Sequence, residues 1–146
     1  MIEEEQSKIA EKLTDLLPSF TRKFMRPFTL LMKNITPLHL HVMHILSEKE
    51  LSTLTELSYE MSMSKQQMTP IINKLHENGF VLREPDTSDR RSVNLKLTSV
   101  GIDSLENIRE DLNRIMKRKI ECLDENDLHT LHHALDDLFK IIHKIS

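Results

Sequence analysis

The chain has 146 residues, the length of one ordinary domain, and its 38% hydrophobic and 29% charged residues form a globular balance that excludes wholesale disorder. Its two glycines, Gly79 and Gly101, exclude phosphate-binding loops that need three. Lys and Arg number 20 against 23 Asp and Glu, and the net charge of −3 argues at first sight against a nucleic-acid partner.

No apolar run reaches the ~18 residues of a membrane span. The acidic start Met1-Ile2-Glu3-Glu4-Glu5 lacks the basic region and apolar stretch of a signal peptide, so a cytoplasmic protein with no membrane partner is expected. The single cysteine, Cys122, can form neither an internal disulfide nor a cysteine-rich zinc site.

With five prolines and two glycines the chain has few breaks, and most of it should be helical. From about Glu3 to Asn34, Ile9, Leu13, Leu16, Leu17, Phe20, Phe24, Phe28 and Leu31 recur at steps of three and four. Pro18 and Pro27 should kink or break that segment, because each lacks an amide donor and crowds the preceding turn. Thr36 as N-cap with Pro37 at the first helical position predicts a helix to about Glu48. Thr53-Leu54-Thr55-Glu56 is a capping box that starts a short helix to about Met61. Ser64-Lys65-Gln66-Gln67 is a second box, whose helix should end at Asn78-Gly79.

The period then changes. Phe80 to Arg83 and Val93 to Leu97 resemble short strands around a polar loop from Glu84 to Ser92, a β-hairpin with a long tip. Thr98 should cap a helix carrying Ile102, Leu105, Ile108, Leu112, Ile115 and Met116 to about Leu123. Asp124 should cap the last, with Leu128, Leu131, Leu135, Leu138, Ile142 and Ile145 on one stripe.

The helices at 54–61 and 64–78 have the size of a helix-turn-helix, and the hairpin directly after them makes it the winged kind. In the second of these helices Leu57 and Met61 of its neighbour meet Ile71, Ile72 and Leu75, leaving Ser64, Lys65, Gln66, Gln67, Thr69, Asn73 and Lys74 as candidate DNA contacts. Gln and Asn can pair with adenine, Lys reaches guanine or phosphate, and the amides at the Ser64 end suit a phosphate oxygen. The alternative for these residues is an ordinary solvated face. Asp89, Arg90 and Arg91 at the hairpin tip strengthen the DNA reading, since paired arginines there suit a minor groove, although either could instead pair with Asp86 or Asp89. From Ser62 to Lys96 there are six basic and four acidic residues, whereas the remainder has 14 against 19. The reading module is thus basic on an acidic frame. No paired carboxylates, nucleophile motif or phosphate loop points to an enzyme.

These residues resemble the MarR (multiple antibiotic resistance regulator) family of winged-helix transcription regulators. Asp89-Arg90-Arg91 followed by Leu97-Thr98 matches the D-x-R-x5-L-T signature of that family's wing. Ile35 to Leu46 is similar to its L-T-x-x-Q-F helix, with His39 and Leu40 in place of the Gln and the aromatic. Leu54 to Gly79 resembles its reading unit, with Ser62 where many relatives have glycine. The resemblance implies that Arg91 enters the minor groove, oriented by an ion pair with Asp89, and that Ser64, Lys65, Gln66, Gln67 and Thr69 contact DNA. It also implies a homodimer built from the terminal helices on double-stranded DNA, with reading helices ~34 Å apart on a pseudo-palindrome.

The expected architecture is therefore mainly α with a small β-hairpin wing (α+β), residues 1–34 and 99–146 for dimerisation and 35–98 as the winged helix-turn-helix. The resemblance further implies a repressor released by a small aromatic or lipophilic effector, with no cofactor required. Phe20, Phe24, Phe28, Met32, His39 and Met43 would line its pocket if the first two helices cross, the alternative for each being core packing. Two histidine sets, His41 and His44 (with His39 between faces) and His129, His132 and His133, are weak metal-ligand candidates, for which the alternative is a solvated face. A metal-responsive regulator of the same fold and a helical interaction protein that binds no DNA are the rival readings.

Overall fold

Glu3, Glu4 and Glu5 crowd the first turn of helix α1 (Ile2–Phe20), where carboxylates offset the partial positive charge of a helix start. The computed structural model describes residues 1–26, 34–89 and 91–145. Pro18 lies inside α1 without breaking it. Instead the chain continues into a five-residue π-helical turn, Thr21–Met25, a widened turn of the kind that absorbs local disruption of the helical ladder. The predicted interruption at Pro18 is thus a change of winding; Pro27 lies outside the described residues.

Helix α2 (Pro37–Glu48) begins with Pro37 after an extended Thr36, as predicted. The side chain that closes this start is His39: its Nδ1 accepts the Thr36 amide at 3.1 Å and lies 2.7 Å from the Thr36 hydroxyl. That acceptor role requires the neutral ring, protonated on Nε2 alone. Burial, and secondarily the nearby Lys74 charge, hold the His39 pKa below its ordinary value of 6.5. A depressed histidine pKa contributes stability that is present above 6.5 and lost as pH falls through the folded-state value. Urea midpoints should therefore be level from pH 8 to 7 and decline below about 6.5. His39→Gln, which can accept the same amide without titrating, should remove that part of the decline.

Strand β1 (Ser52–Thr53) leads directly into α3 (Leu54–Glu60), and Thr53 and Glu56 form the predicted box, Glu56 accepting the Thr53 amide at 2.8 Å. Helix α4 (Lys65–Glu77) follows, closed by Gly79 at φ +74°. β2 (Val81–Pro85) and β3 (Val93–Leu97) form the hairpin. The sheet has three antiparallel strands in the order β1-β3-β2, with Ser52 opposite Leu95 and Val81 opposite Leu97. β1 was not predicted, and β2 starts one residue later and ends two residues later than the sequence pattern suggests.

One core joins these elements. Val42, Met43, Ile45 and Leu46 of α2 meet Leu57 of α3, Met68, Ile71, Ile72 and Leu75 of α4, and Val81, Leu95 and Leu97 of the sheet. Helix α5 (Ser99–Ile120) starts beside it: the Thr98 hydroxyl accepts the Gly101 amide at 2.9 Å and donates to the Gly79 carbonyl at 2.6 Å. Gly101 is buried there because a Cβ would collide with the Phe80 carbonyl oxygen.

The chain divides into two compact units, Met1–Glu110 and Asp111–Ser146, with α5 passing from one to the other. The second unit ends in α6 (Glu125–Ile142), capped by Asp124, whose carboxylate accepts the Asp127 amide at 2.8 Å. Neither α1 nor α6 has a buried residue. Leu13, Leu16 and Phe20 of α1, and Leu128, Leu135 and Leu138 of α6, are all more than a third exposed in the single chain.

Candidate nucleic-acid interface

The turn between α3 and α4 is held by main-chain bonds, Met61 amide to Leu57 carbonyl at 2.9 Å and Met63 amide to Ser58 carbonyl at 2.9 Å. Between them Ser62 adopts φ +51°, the left-handed region that glycine adopts most readily. This accounts physically for a turn position where glycine and serine both serve. The turn delivers Ser64 to the head of α4, where its hydroxyl accepts the Gln67 amide at 3.2 Å and the Gln67 side chain accepts the Ser64 amide at 3.0 Å.

On α4, Met68, Ile71, Ile72 and Leu75 are buried, while Ser64, Lys65, Gln66, Gln67, Thr69 and Asn73 are exposed and Lys74 is half-buried. Helical spacing thus separates a core face from a polar face, as predicted. Three of the polar residues already have work. The carbonyl oxygen of Gln67 closes the cap, the Thr69 hydroxyl donates to the Lys65 carbonyl at 2.7 Å, and the Asn73 carbonyl oxygen accepts from the Arg83 guanidinium. Bidentate reading of adenine needs both ends of an amide, and in the single chain the Asn73 oxygen is engaged by Arg83, which links α4 to β2.

The wing tip is organised by Asp86, whose partners are main-chain amides and side chains of the turn and of β3. One carboxylate oxygen accepts the Ser88 amide at 2.7 Å, the Ser88 hydroxyl at 2.6 Å and the Asp89 amide at 3.1 Å, and the other accepts from Asn94 at 3.3 Å. These donors, Ser88 foremost, hold the Asp86 pKa at about 2, so its charged, bonded form persists at any pH where the protein works. The Asp-x-Ser spacing is the local signal for such a turn.

Asp89 differs from expectation. Its carboxylate accepts the Arg91 main-chain amide at 2.9 Å, and among the described residues no ion pair joins the two side chains. A separation of two residues in a tight turn brings the amide onto the carboxylate and leaves the exposed Arg91 guanidinium outside that bond. Arg90 lies outside the described residues.

The predicted effector residues are only partly brought together. Phe20 and Phe24 have ring centroids 4.9 Å apart, Met43 is wholly buried in the core, and Phe28 and Met32 lie outside the described residues. Met43 packs in the core with residues of α4 and the sheet, the alternative given for it above. A cavity of about 130 Å³ is lined by Leu54, Thr69, Ile72, Arg83, Val93 and Leu95, and Phe20, Phe24, His39 and Met43 do not line it. Among the described residues no three or more His, Cys, Asp or Glu side chains converge as a metal centre. His44 lies 3.5 Å from Glu48 and His41 is exposed. No helix among the described residues is long and apolar enough to cross a membrane.

The MarR family model matches residues 35–93, the segment that holds the reading unit and most of the hairpin. The HTH-type transcriptional repressor IacR of Pseudomonas putida is 26% identical over 98 residues, 67% of this chain and 59% of that protein, so the match spans less than two thirds of it. A MarR family protein from Bacillus stearothermophilus superposes with a TM-score of 0.74 at 21% identity, covering 94% of this chain and 97% of that one. Streptococcus pneumoniae FabT, solved in complex with DNA, gives 0.67 at 20% identity, covering 97% and 99%. The shared fold is the winged helix.

Proposed function

We propose that the chain, whose residues 35–93 match the MarR family model, is a homodimeric, sequence-specific DNA-binding transcription regulator, acting in the cytoplasm as an effector-released repressor of a promoter with a pseudo-palindromic site, and is not an enzyme. The observation that carries this reading is the pairing of a capped helix presenting Ser64, Lys65, Gln66 and Gln67 with an adjacent wing presenting Arg91, on a segment richer in base than acid inside an acidic chain. A helix start offers amides and partial positive charge to a phosphate, and the wing arginine adds a cation. IacR bears the name of a repressor, and FabT was solved on DNA.

Residues 35–98 serve as the reading module and residues 1–34 and 99–146 as the dimerisation frame. Support for the frame comes from the apolar stripes of α1 and α6, which are exposed in the single chain and whose burial against a second copy removes them from water. The effector is a small aromatic or lipophilic molecule that favours one spacing of the reading helices; equal affinity for both spacings would shift nothing.

Sedimentation of the purified chain should give a species of about 34 kDa, twice its 17.1 kDa. A gel shift with the DNA flanking its own coding sequence should show a complex that weakens steeply with rising salt, as counterion release requires. Absence of any shift at low salt would make the chain a helical interaction protein, and a clean monomer would remove the two-fold architecture.

A further inference from the structure

We infer that α6 carries a surface chelate for a divalent transition-metal ion, closed by the Nε2 atoms of His129 and His133. These atoms lie 3.1 Å apart, with ring centroids separated by 4.3 Å. Two imidazole nitrogens bound at ~2.0–2.1 Å to one ion are ~2.9 Å apart for a right-angle chelate and ~3.3 Å apart for a tetrahedral one. The observed separation falls between those limits. The two nitrogens thus already stand at chelating separation, and binding through both requires the proton between them to leave Nε2, the donor ring carrying its single proton on Nδ1 instead.

The i,i+4 spacing fixes this geometry through the helix itself, and both side chains are exposed. His132 stands beside the pair, its Nε2 3.6 Å from Asp136, and Asp137 is paired with Lys140 at 3.0 Å. The carboxylate of Asp136 adds negative potential one turn beyond the chelate. At about 100° per residue, positions 129 and 133 fall about 100° or more from each of Leu128, Leu135 and Leu138, whereas His132 flanks the stripe, so covering the stripe leaves the His129–His133 pair open. Two nitrogen ligands with open remaining positions select ions that favour imidazole, copper foremost in the affinity series, over magnesium or calcium, which require oxygen cages. The chelate does not depend on the DNA reading, since it lies within the second unit.

Copper(II) chloride titrated into the full-length protein in a non-chelating buffer, followed by visible absorption and electron paramagnetic resonance, tests this. One equivalent per chain should bind with a two-nitrogen signature, and His129→Ala and His133→Ala should each lower affinity at least tenfold, while His132→Ala and the pair His41→Ala/His44→Ala should not. Because the chelate exists only in the folded helix, copper should also raise the thermal midpoint of the wild type more than that of His133→Ala. Unchanged affinity in both the His129 and His133 variants, or loss only in the His41/His44 variant, would overturn the assignment. Far-UV circular dichroism establishes that each variant is folded, and His133→Gln provides a second, more conservative replacement.

Discussion

Arg91→Ala is expected to weaken binding of a specific promoter fragment about a hundredfold per dimer, from a loss of roughly 1.5 kcal/mol in each copy. Arg91 is exposed on the hairpin tip, where Asp86 and Asp89 accept main-chain amides of the turn, so its main chain is held and its guanidinium is open to a phosphate or groove. Lys117 sits in the last turn of α5, outside the basic segment, and Lys117→Ala should change affinity by no more than a few-fold. The wing contact is largely electrostatic, so the loss should appear on unrelated sequences as well. The slope of log affinity against log salt should also become shallower, by about one for each copy. Fluorescence anisotropy at several salt concentrations measures both quantities. Equal effects of the two substitutions would exclude the wing from the interface.

Gly101→Ala is expected to destabilise the fold by about 1–3 kcal/mol, the range for forcing a group into a filled site. Alanine in a helix normally gains about 1 kcal/mol over glycine. Here the added Cβ would strike the Phe80 carbonyl oxygen and press within 3.1 Å of the Leu97 side chain. The struck atom is backbone and cannot swing away, and the same carbonyl accepts the Thr98 amide at 2.9 Å. Gly79 gives the contrasting case: no atom lies within 4 Å of its virtual Cβ, so Gly79→Ala should cost only the left-handed penalty of about 1 kcal/mol. Urea unfolding of both variants measures the difference. A stabilised Gly101→Ala would mean that α5 can move away from the sheet at little cost.

Local chemistry made most of the fold legible. Thr36, Thr53, Ser64 and Asp124 each mark a helix start because an N-cap acts within three residues, and Gly79 marks a stop for the same local reason. What escaped depends on distance or on double use of a side chain. β1 is two residues long, too short for alternation to register, and exists because β3 offers it a partner. The π turn after Pro18 is one of several ways to absorb a missing amide, and the sequence does not choose among them. At the site, the polar face of α4 was readable from periodicity. The engagement of Asn73 by Arg83 spans ten positions and needed coordinates. Asp86 was visible as an acid near two arginines, and its role as a turn organiser emerged only when the amides of Ser88 and Asp89 were seen to converge on it.

The bond from Arg83 to Asn73 also has a mechanical meaning. A side chain of β2 holds the middle of α4, and with the shared core it couples the helix and the hairpin into one probe. In a two-fold pair the adjustable quantity is then the gauge between two probes, like the opening of a caliper. In the proposed effector-released dimer, an effector would not have to deform the probe to silence it, because resetting the gauge by part of a helical turn would take both tips out of phase with the DNA.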